Sequence, residues 1–253
     1  MHPFDATAAQ FDRHRAFPPG VAEAIHRAVW SAVNHLHPVR ILDLGAGTGR
    51  IGKAFVAAGD PYIGVDLSLG MLQEFKANMA NAVLVQADGH HMPFPDRAFN
   101  IVMLMQVLSG AGDWRGLLDE TRRILRPGGF MIAGHTTMPA NGVDRRMKRH
   151  LNEILSYMGT ESRRGRLRRD EALNWLEAQA RSHVHHVAAS WKVDRTPAQF
   201  LERHRTGAQF SALPMEIQTA ALDELIAWAA TEFQSLDAVF REQHSFELDI
   251  FEF

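Results

Sequence analysis

The sequence predicts an α/β fold in which helices cover both faces of a doubly wound, mostly parallel sheet. Between residues 39 and 135, short apolar strand patterns alternate with helical patterns at intervals of about 20 to 30 residues, the spacing of right-handed βαβ crossovers. A glycine-rich turn directly follows the first of these strands. With 253 residues, 46% of them hydrophobic, the chain is long enough to bury one core. We therefore expect a single domain over residues 1–253.

The chain is expected to begin with an arm and a helix. Residues 1–19 are aromatic, charged and end in two prolines, which indicates an N-terminal arm docked on the domain. From Val21 to Leu36 apolar residues recur at helical spacing, and Pro38 ends the pattern. Parallel strands are then expected at residues 39–44, 62–66, 83–88, 99–104 and 130–135, with helices at residues 51–58, 69–79 and 113–125.

The pattern is looser beyond residue 135. Strict alternation of apolar and polar residues over 245–253 predicts a last strand with one solvent-exposed face. Before it we expect a helix at residues 170–181, a strand at residues 184–193, and helices from the Thr196-Pro197 start to about residue 240.

Two segments outside the alternating core, residues 138–168 and 196–242, are expected to form a helical cap. Both follow strands of the sheet, and both are long enough to place helices over its carboxyl edge. A cap there would enclose a pocket and keep water away from a reacting small molecule.

Composition excludes several classes of function. The net charge of −2 offers no field that would attract nucleic acid or an anionic membrane. The absence of cysteine removes disulfides, cysteine–zinc sites and thiol nucleophiles, and is compatible with a reducing compartment. Neither a secretory signal nor an apolar run long enough for a membrane span is present, so we expect a cytoplasmic enzyme. The histidines at 183, 185 and 186 lack accompanying acids or cysteines in order, and we expect no metal site.

The glycine turn at residues 45–49 carries the main chemical signal. Its glycines let the backbone approach a ligand closely, and the helix that follows presents free N–H groups. The dinucleotide fingerprint would need a glycine at position 50, where Arg50 stands, which disfavours an NAD-dependent reductase. The lysine and hydroxyl residue of a phosphate-binding loop are also missing. The turn therefore suits a nucleoside without phosphate.

Acidic residues at the ends of the predicted strands support the same ligand. Asp66 ends the second strand, 23 residues after Asp43, and a carboxylate there can accept hydrogen bonds from both ribose hydroxyls. Asp88 ends the third strand, in a position to meet an adenine edge. All three lie at carboxyl ends of strands, where open α/β sheets bind their ligands.

These motifs, in this order, resemble those of class I S-adenosylmethionine-dependent methyltransferases, and most of all the small-molecule group that includes ubiquinone and menaquinone C-methyltransferases. The resemblance covers about residues 35–136. It implies a Rossmann-like, seven-stranded sheet in the order 3-2-1-4-5-7-6, with the last strand antiparallel. The matching motifs are ILDLGAGTG at 41–49, GVDLS at 64–68, QAD at 86–88, MPFPD at 92–96 followed by Phe99, and LRPGG at 125–129.

The resemblance also implies a set of S-adenosyl-L-methionine contacts. Glycines 45, 47 and 49, with Ala46, would line the methionine part, and Asp43 would orient the turn or the amino group. Asp66 would hold the ribose. The remaining expected contacts are Leu67 and Met71 flanking the adenine, Asp88 and Gly89 at its amine, and Gln106 and Val107 beside the methyl donor. Two departures are Asn100, where the family usually has an acid, and residues 109–112, which replace its usual histidines.

The function expected from these residues is direct, in-line methyl transfer to a small-molecule acceptor. If the acceptor needs a base, His135 and His90 are the best-placed candidates, His135 first. One alternative is an RNA or protein methyltransferase that uses the nine lysines and arginines of residues 145–169. Another is a binding module that keeps the donor site but has lost turnover.

Overall fold

The computed structural model describes residues 16–33, 39–160, 165–205, 210 and 213–253, and their strands form one seven-stranded sheet. The strand order is 3-2-1-4-5-7-6, and the seventh strand is antiparallel to its two neighbours. This order confirms the Rossmann-like α/β fold that the resemblance implied. Most of the predicted N-terminal arm, including residues 1–15, lies outside the described residues.

The elements are numbered here along the chain. The strands are β1 (Ile41–Leu44), β2 (Tyr62–Asp66), β3 (Val83–Gln86), β4 (Phe99–Met105), β5 (Leu125–Thr137), β6 (Ser182–Arg195) and β7 (Phe240–Glu252). The helices are α1 (Val21–Val33), α2 (Gly52–Ala58), α3 (Leu69–Asn78), α4 (Trp114–Ile124), α5 (Val143–Tyr157), α6 (Gly165–Glu177), α7 (Pro197–Arg205) and α8 (Met215–Glu232).

Strands β1 to β5 run parallel, so their carboxyl ends meet at one edge of the sheet. β1 pairs with β2 on one side and with β4 on the other, β3 flanks β2, and β5 flanks β4. Every residue of β1 is buried, as expected for a central strand covered on both faces. The loops that follow β1, β2, β3 and β4 are thereby brought together.

Helices pack on each face of this part of the sheet. On one face, Leu118 of α4 and Leu176 of α6 are buried in a cluster that includes Leu42. Side chains alternate between faces along a strand, so Asp43 points to the other face. There the Tyr62 ring lies between Phe55 of α2 and Phe75 of α3, with ring centroids 6.1 and 6.2 Å away.

The chain divides into two compact units. Residues 1–136, 164–189 and 246–253 form the first unit, and residues 137–163 and 190–245 form the second. Helices α5, α7 and α8 of the second unit share a core of their own, which includes Met147, Leu151, Phe200, Leu225 and Phe233. Helices therefore do form within both predicted cap segments. The role of these segments as a cap, and the single domain over 1–253, stay predictions.

The beginning of β5 differs from the sequence-based expectation. The helix was expected to end at residue 125 and the strand to begin at residue 130, whereas β5 begins at Leu125. The reason is pairing on both sides, because Leu125 pairs with Phe99 of β4 and residues 128 and 129 bond to the residue that follows β7. Gly128 donates its N–H to the Phe253 carbonyl oxygen at 2.6 Å, and Phe253 donates to Gly129 at 3.0 Å.

The expectation of a solvent-exposed face on the last strand is wrong for the end of the strand, although Ser245 and Glu247 on that face are partly exposed. Asp249, Phe251 and Phe253 share the face that was expected to be wet, and all three are buried. Phe251 and Phe253 belong to the cluster formed with α4 and α6, and the Arg122 guanidinium lies 4.2 Å from the Phe253 ring centroid. Helices α4 and α6 cover this face at the end of the strand, and alternation of residue types cannot reveal a covering helix from elsewhere in the chain.

Gly49 and Gly59 offer a matched test of packing around the glycine turn. Both have left-handed φ angles, 80° and 78°, but a Cβ at Gly49 would overlap the buried Phe75 ring, whereas a Cβ at Gly59 meets nothing within 4 Å. We expect Gly59→Ala to lower the free energy of unfolding by about 1 kcal/mol, from backbone strain alone. Gly49→Ala should lose a further ~1–3 kcal/mol from overpacking. Urea unfolding measures both, and equal losses would contradict the packing described here.

Candidate functional site

The carboxyl edge of the parallel strands brings together the residues that the sequence singled out. Asp43 lies in β1 one residue before its end, and the glycine turn at 45–49 follows. Asp66 is the last residue of β2, Asp88 follows β3, and Gln106 is the first residue after β4. An open sheet of this kind binds ligands in the crevice at this edge.

The glycine turn is tied to the end of β2. Gly45 and Ala46 donate their backbone N–H groups to the Val65 carbonyl oxygen at 2.8 and 3.0 Å. Gly45, Gly47 and Gly49 have φ angles of 77°, 56° and 80°, a region that residues with a Cβ rarely adopt. The turn therefore depends on glycine at these three positions.

The Asp66 carboxylate joins this turn to the helix that follows β2. Its Oδ2 accepts the Gly47 N–H at 2.9 Å, and its Oδ1 accepts the Ser68 N–H at 2.9 Å. A carboxylate accepts through both oxygens, so these two bonds orient it. Asp66 is thus fixed beside the glycine turn.

Asp43 is a buried acid with one oxygen unsatisfied. The Tyr62 hydroxyl donates to its Oδ2 at 2.6 Å, and Oδ1 is buried without a hydrogen-bond partner among the described residues. Burial raises the pKa of Asp43 to about 7. The hydrogen bond from Tyr62 lowers this pKa, and the negative charge of Asp66 raises it further. An oxygen in this state favours a cationic or N–H donor.

Asp88 and His90 form a pair of their own. Asp88 Oδ1 accepts the backbone N–H of His90 and lies 2.9 Å from its ring Nδ1, and these bonds lower the pKa of Asp88. His90 Nε2 lies 2.9 Å from the Asp113 carbonyl oxygen, and the bond to Asp88 raises the pKa of His90. Both ring nitrogens are occupied, so the geometry does not favour His90 as a base. Neighbouring Gly89 lies against Leu44 and Leu117, which leave no room for a Cβ.

The two expected adenine neighbours differ in accessibility. The Leu67 residue is 48% exposed, whereas Met71 is 3% exposed. Met71 lies in the first turn of α3, where its N–H donates to the Ser68 hydroxyl that caps the helix. Leu67 is open to contact a ligand as it stands, whereas Met71 is buried against the protein.

Two residues that sequence reasoning did not assign also lie at this edge. Arg50 donates to the Gln106 side-chain oxygen, and the Gln106 amide nitrogen donates to Thr136 Oγ1 at 2.8 Å. The sequence pointed to Arg50 only as the residue that breaks the dinucleotide fingerprint. The position of Arg50 next to the glycine turn could have identified it as a candidate site residue. No feature of the sequence identified Thr136.

His135 points away from these residues. Thr136 reaches Gln106, so alternation along β5 directs the His135 ring to the opposite face. There its Nε2 lies 3.6 Å from Glu247 and its Nδ1 4.0 Å from Asp249. Burial lowers the pKa of His135, and the Arg169 charge lowers it further. The ring is therefore neutral near pH 7, and its assignment as a base stays a prediction.

Two further histidines meet the same acid from β6. Asp249 Oδ1 lies 3.0 Å from His183 Nε2 and 3.0 Å from His185 Nδ1. The His183 ring also stacks on Phe251, with centroids 4.4 Å apart. These contacts join β6 to β7 and explain how an acid is accommodated in a buried position of the last strand.

Neither a metal centre nor a membrane span emerges from the described residues. In that part of the chain no group of three or more histidine or acidic side chains could hold a metal ion. None of the described helices is long and apolar enough to cross a membrane. The basic residues of 145–169 are divided between the two units, on α5 and α6, and residues 161–164 of the segment lie outside the described residues.

Comparison with known proteins finds a family similarity over the parallel strands. A family model described as "Methyltransferase domain" matches residues 42–133, from β1 to β5. This part of the chain is similar to that family of methyltransferase domains. The match includes the glycine turn, Asp66, Asp88 and Gln106, the residues that the fold brings to one edge.

Curated relatives of the methyltransferase domain are named demethylmenaquinone methyltransferase. One from Streptomyces griseus is 34% identical over 137 residues, covering 54% of this chain and 60% of the relative. Another from Renibacterium salmoninarum is 29% identical over 140 residues, covering 55% and 59%. The chain thus spans about 60% of the length of these relatives.

Solved structures share the fold of the methyltransferase domain and its surroundings. The YcgJ protein from Bacillus subtilis covers 89% of this chain and 98% of its own, with a TM-score of 0.53 and 19% identity. A protein from Bacillus halodurans covers 89% and 97%, with a TM-score of 0.55 and 17% identity. At these identities the likeness concerns the fold alone.

The raised pKa of Asp43 predicts a pH-dependent effect of Asp43→Asn. The unfolded chain releases this proton near pH 3.8 and the folded chain near 7, so ionisation destabilises the fold increasingly between those values. Asp43→Asn should therefore gain stability over the native chain as pH rises, by about 4 kcal/mol in total, and the gain should level off above pH 7. Urea unfolding at pH 5, 7 and 8.5 measures it.

The exposed Asp119 on α4 provides the control. Asp119→Asn removes the same charge from a solvated position, where the difference from the native chain should vary little with pH. A difference between Asp43→Asn and the native chain that stays constant from pH 5 to 8.5 would show that Asp43 ionises normally.

Proposed function

We propose that this protein binds S-adenosyl-L-methionine at the carboxyl edge of β1, β2, β3 and β4 and transfers its methyl group to a small-molecule acceptor. The methyltransferase domain and its relatives support the reaction class. The name of those relatives, demethylmenaquinone methyltransferase, supports a small molecule as acceptor. The replacement of the family's usual histidines at residues 109–112 favours an acceptor that differs from the quinones.

The observation that carries the proposal is the pair of acids beside the glycine turn. Asp43 offers a buried oxygen without a partner among the described residues, which suits the ammonium group of the donor. Asp66 is oriented by two backbone N–H groups, which suits a carboxylate that accepts ribose hydroxyls. The residues present therefore fit the ammonium group and the ribose of an S-adenosylmethionine molecule.

The other expected contacts complete this assignment. In the proposal, Gly45, Gly47 and Gly49 let the backbone lie against the methionine part, and the nearby Ala46 contributes its backbone. Leu67 and Met71 flank the adenine, and Asp88 with Gly89 faces its amine. Gln106 and Val107 form the wall beside the methyl group.

The chain promotes the reaction chiefly by holding the reactants in line. S-adenosylmethionine supplies a sulfonium whose methyl group is already activated for displacement. Correct alignment alone can be worth effective molarities of about 10⁵–10⁸ M, so the protein needs little further chemistry. For an acceptor that begins protonated, a base is required. His135 is neutral near pH 7 and could accept that proton, although its ring faces Glu247 and Asp249.

Two measurements test the reaction and its alternatives. Calorimetry with S-adenosylmethionine, S-adenosylhomocysteine and NADH should give micromolar binding of the first two, and binding of NADH alone would refute the proposal. Incubation with methyl-labelled donor and cell extract should then place label in the small-molecule fraction. Label in RNA or protein would favour a macromolecular substrate, and donor binding without transfer to any fraction would favour a silent binding module.

Asp66→Ala tests the assignment of the ribose contact. Removing a carboxylate that accepts two hydroxyls should weaken S-adenosylhomocysteine binding by about 2–4 kcal/mol. Because Asp66 also holds the Gly47 and Ser68 N–H groups, the melting temperature of each variant without ligand is measured alongside. Asp119→Ala, at an exposed position of α4, should bind as the native chain does. Unchanged affinity in Asp66→Ala would remove this residue from the site.

A further inference from the structure

Gln106 is held in a backbone conformation that glutamine rarely adopts. It is the first residue after β4, and its φ of 63° lies in the left-handed region. Its own N–H donates to the Gly134 carbonyl oxygen of β5 at 2.7 Å. Strained residues of this kind persist where the surroundings over-determine them, and they cluster at functional sites.

The side chain of Gln106 is fixed at both ends of its amide. Its oxygen accepts a hydrogen bond from the Arg50 guanidinium, directly after the glycine turn. Its nitrogen donates to Thr136 Oγ1 at 2.8 Å, at the end of β5. Opposite partners at the two ends determine which way the amide faces. The three side chains thus link the loop after β1 with the ends of β4 and β5.

Arg50 is in turn placed by an aromatic contact. Its guanidinium carbon lies 4.8 Å from the centroid of the Phe17 ring, within the range of a cation–π interaction. The Phe17 ring meets Phe246 edge-on, with centroids 5.6 Å apart. The segment before α1 therefore helps to hold the guanidinium that reaches Gln106.

The left-handed turn at Gln106 brings the next residue onto the glycine turn. Val107 Cγ2 lies 2.6 Å from the position that a Cβ at Gly45 would take. Val107 therefore rests directly on the Gly45 backbone, and a change in the Gln106 conformation would move it. The wall beside the first glycine of the turn depends on how Gln106 is held.

We propose that Arg50, Gln106 and Thr136 form a clasp that positions Val107 and the glycine turn for the donor, with Arg50 and Thr136 acting as positioning residues through Gln106. This inference rests on the proposed function, because it concerns the same site. It adds two residues that neither the family resemblance nor the comparisons assign. The clasp sets the shape of the donor site before the ligand binds, so its loss should weaken binding more than folding.

Isosteric changes at Thr136 give the first test. Thr136→Val removes the oxygen that accepts from Gln106 and keeps the shape of the side chain, whereas Thr136→Ser keeps the hydroxyl. Loss of one hydrogen bond corresponds to about a 3- to 10-fold weakening of S-adenosylhomocysteine binding in the valine variant. The serine variant should stay within about twofold of the native chain. Calorimetry measures the affinities, and thermal unfolding without ligand measures the fold.

Gln106→Gly and Gln234→Gly form a matched pair. Both residues are glutamines with nearly equal φ angles, 63° and 64°, and glycine relieves the backbone at either position. Gln106→Gly should weaken S-adenosylhomocysteine binding about 3- to 10-fold, because the amide is lost, and Gln234→Gly should leave it within about twofold. Gln106→Glu keeps an acceptor for both Arg50 and the Thr136 hydroxyl, and should restore most of the affinity.

A double variant separates the clasp from an independent effect of Thr136. If Thr136 acts through Gln106, adding Thr136→Val to Gln106→Gly should weaken binding by no more than about 1.5-fold. Full additivity, or unchanged affinity in both single variants, overturns the clasp while leaving the proposed function in place. A native chain that binds neither S-adenosylhomocysteine nor S-adenosylmethionine overturns the proposed function and the clasp together.

Discussion

The hydrogen bonds that tie the glycine turn to the end of β2 are the constraint on which the rest of the site depends. Val65 accepts from Gly45 and Ala46, and Asp66 accepts from Gly47. These bonds satisfy backbone groups of a turn in left-handed conformations and fix the turn relative to the neighbouring strand. Asp43 lies in the strand that leads into this turn, Asp66 bonds to the turn, and Val107 packs against its Gly45. The positions of these three residues therefore depend on the turn.

The buried carboxyl group of Asp43, close to the same turn, lowers the stability of the fold. Asp43 is buried and accepts from the Tyr62 hydroxyl through one oxygen, while its other oxygen has no partner among the described residues. Burial raises the pKa of Asp43 to about 7. Native proteins have free energies of unfolding of only about 5–15 kcal/mol, so a buried, ionised carboxylate with one oxygen unbonded removes a substantial part of that stability. Such groups concentrate at binding sites, where a ligand supplies the missing partner.

The acids of β7 show a different solution to the same physical problem. Asp249 is also buried, but His183 and His185 meet one of its oxygens from β6, and His135 approaches from β5. These contacts hold neighbouring strands together within the sheet. A buried acid paired in this way indicates a structural role, whereas the Asp43 oxygen that has no partner among the described residues supports the proposed donor site.

Much of the fold could be predicted from the sequence, and the residues of the candidate site could be singled out, because their signals are local. The glycine turn needs glycines at adjacent positions, and parallel strands place the residues that follow them at one edge, so Asp43, Asp66 and Asp88 could be assigned from their places in the strands. The clasp could not be predicted, since Arg50, Gln106 and Thr136 meet only through the packing of β1, β4 and β5. The burial of Asp249 was likewise decided by helices and histidines from other parts of the chain.

The sequence by itself determined which backbone turns and strand ends could exist, because those depend on neighbours along the chain. The tertiary structure decided which side chains are paired, buried or left unsatisfied, because those depend on neighbours in space.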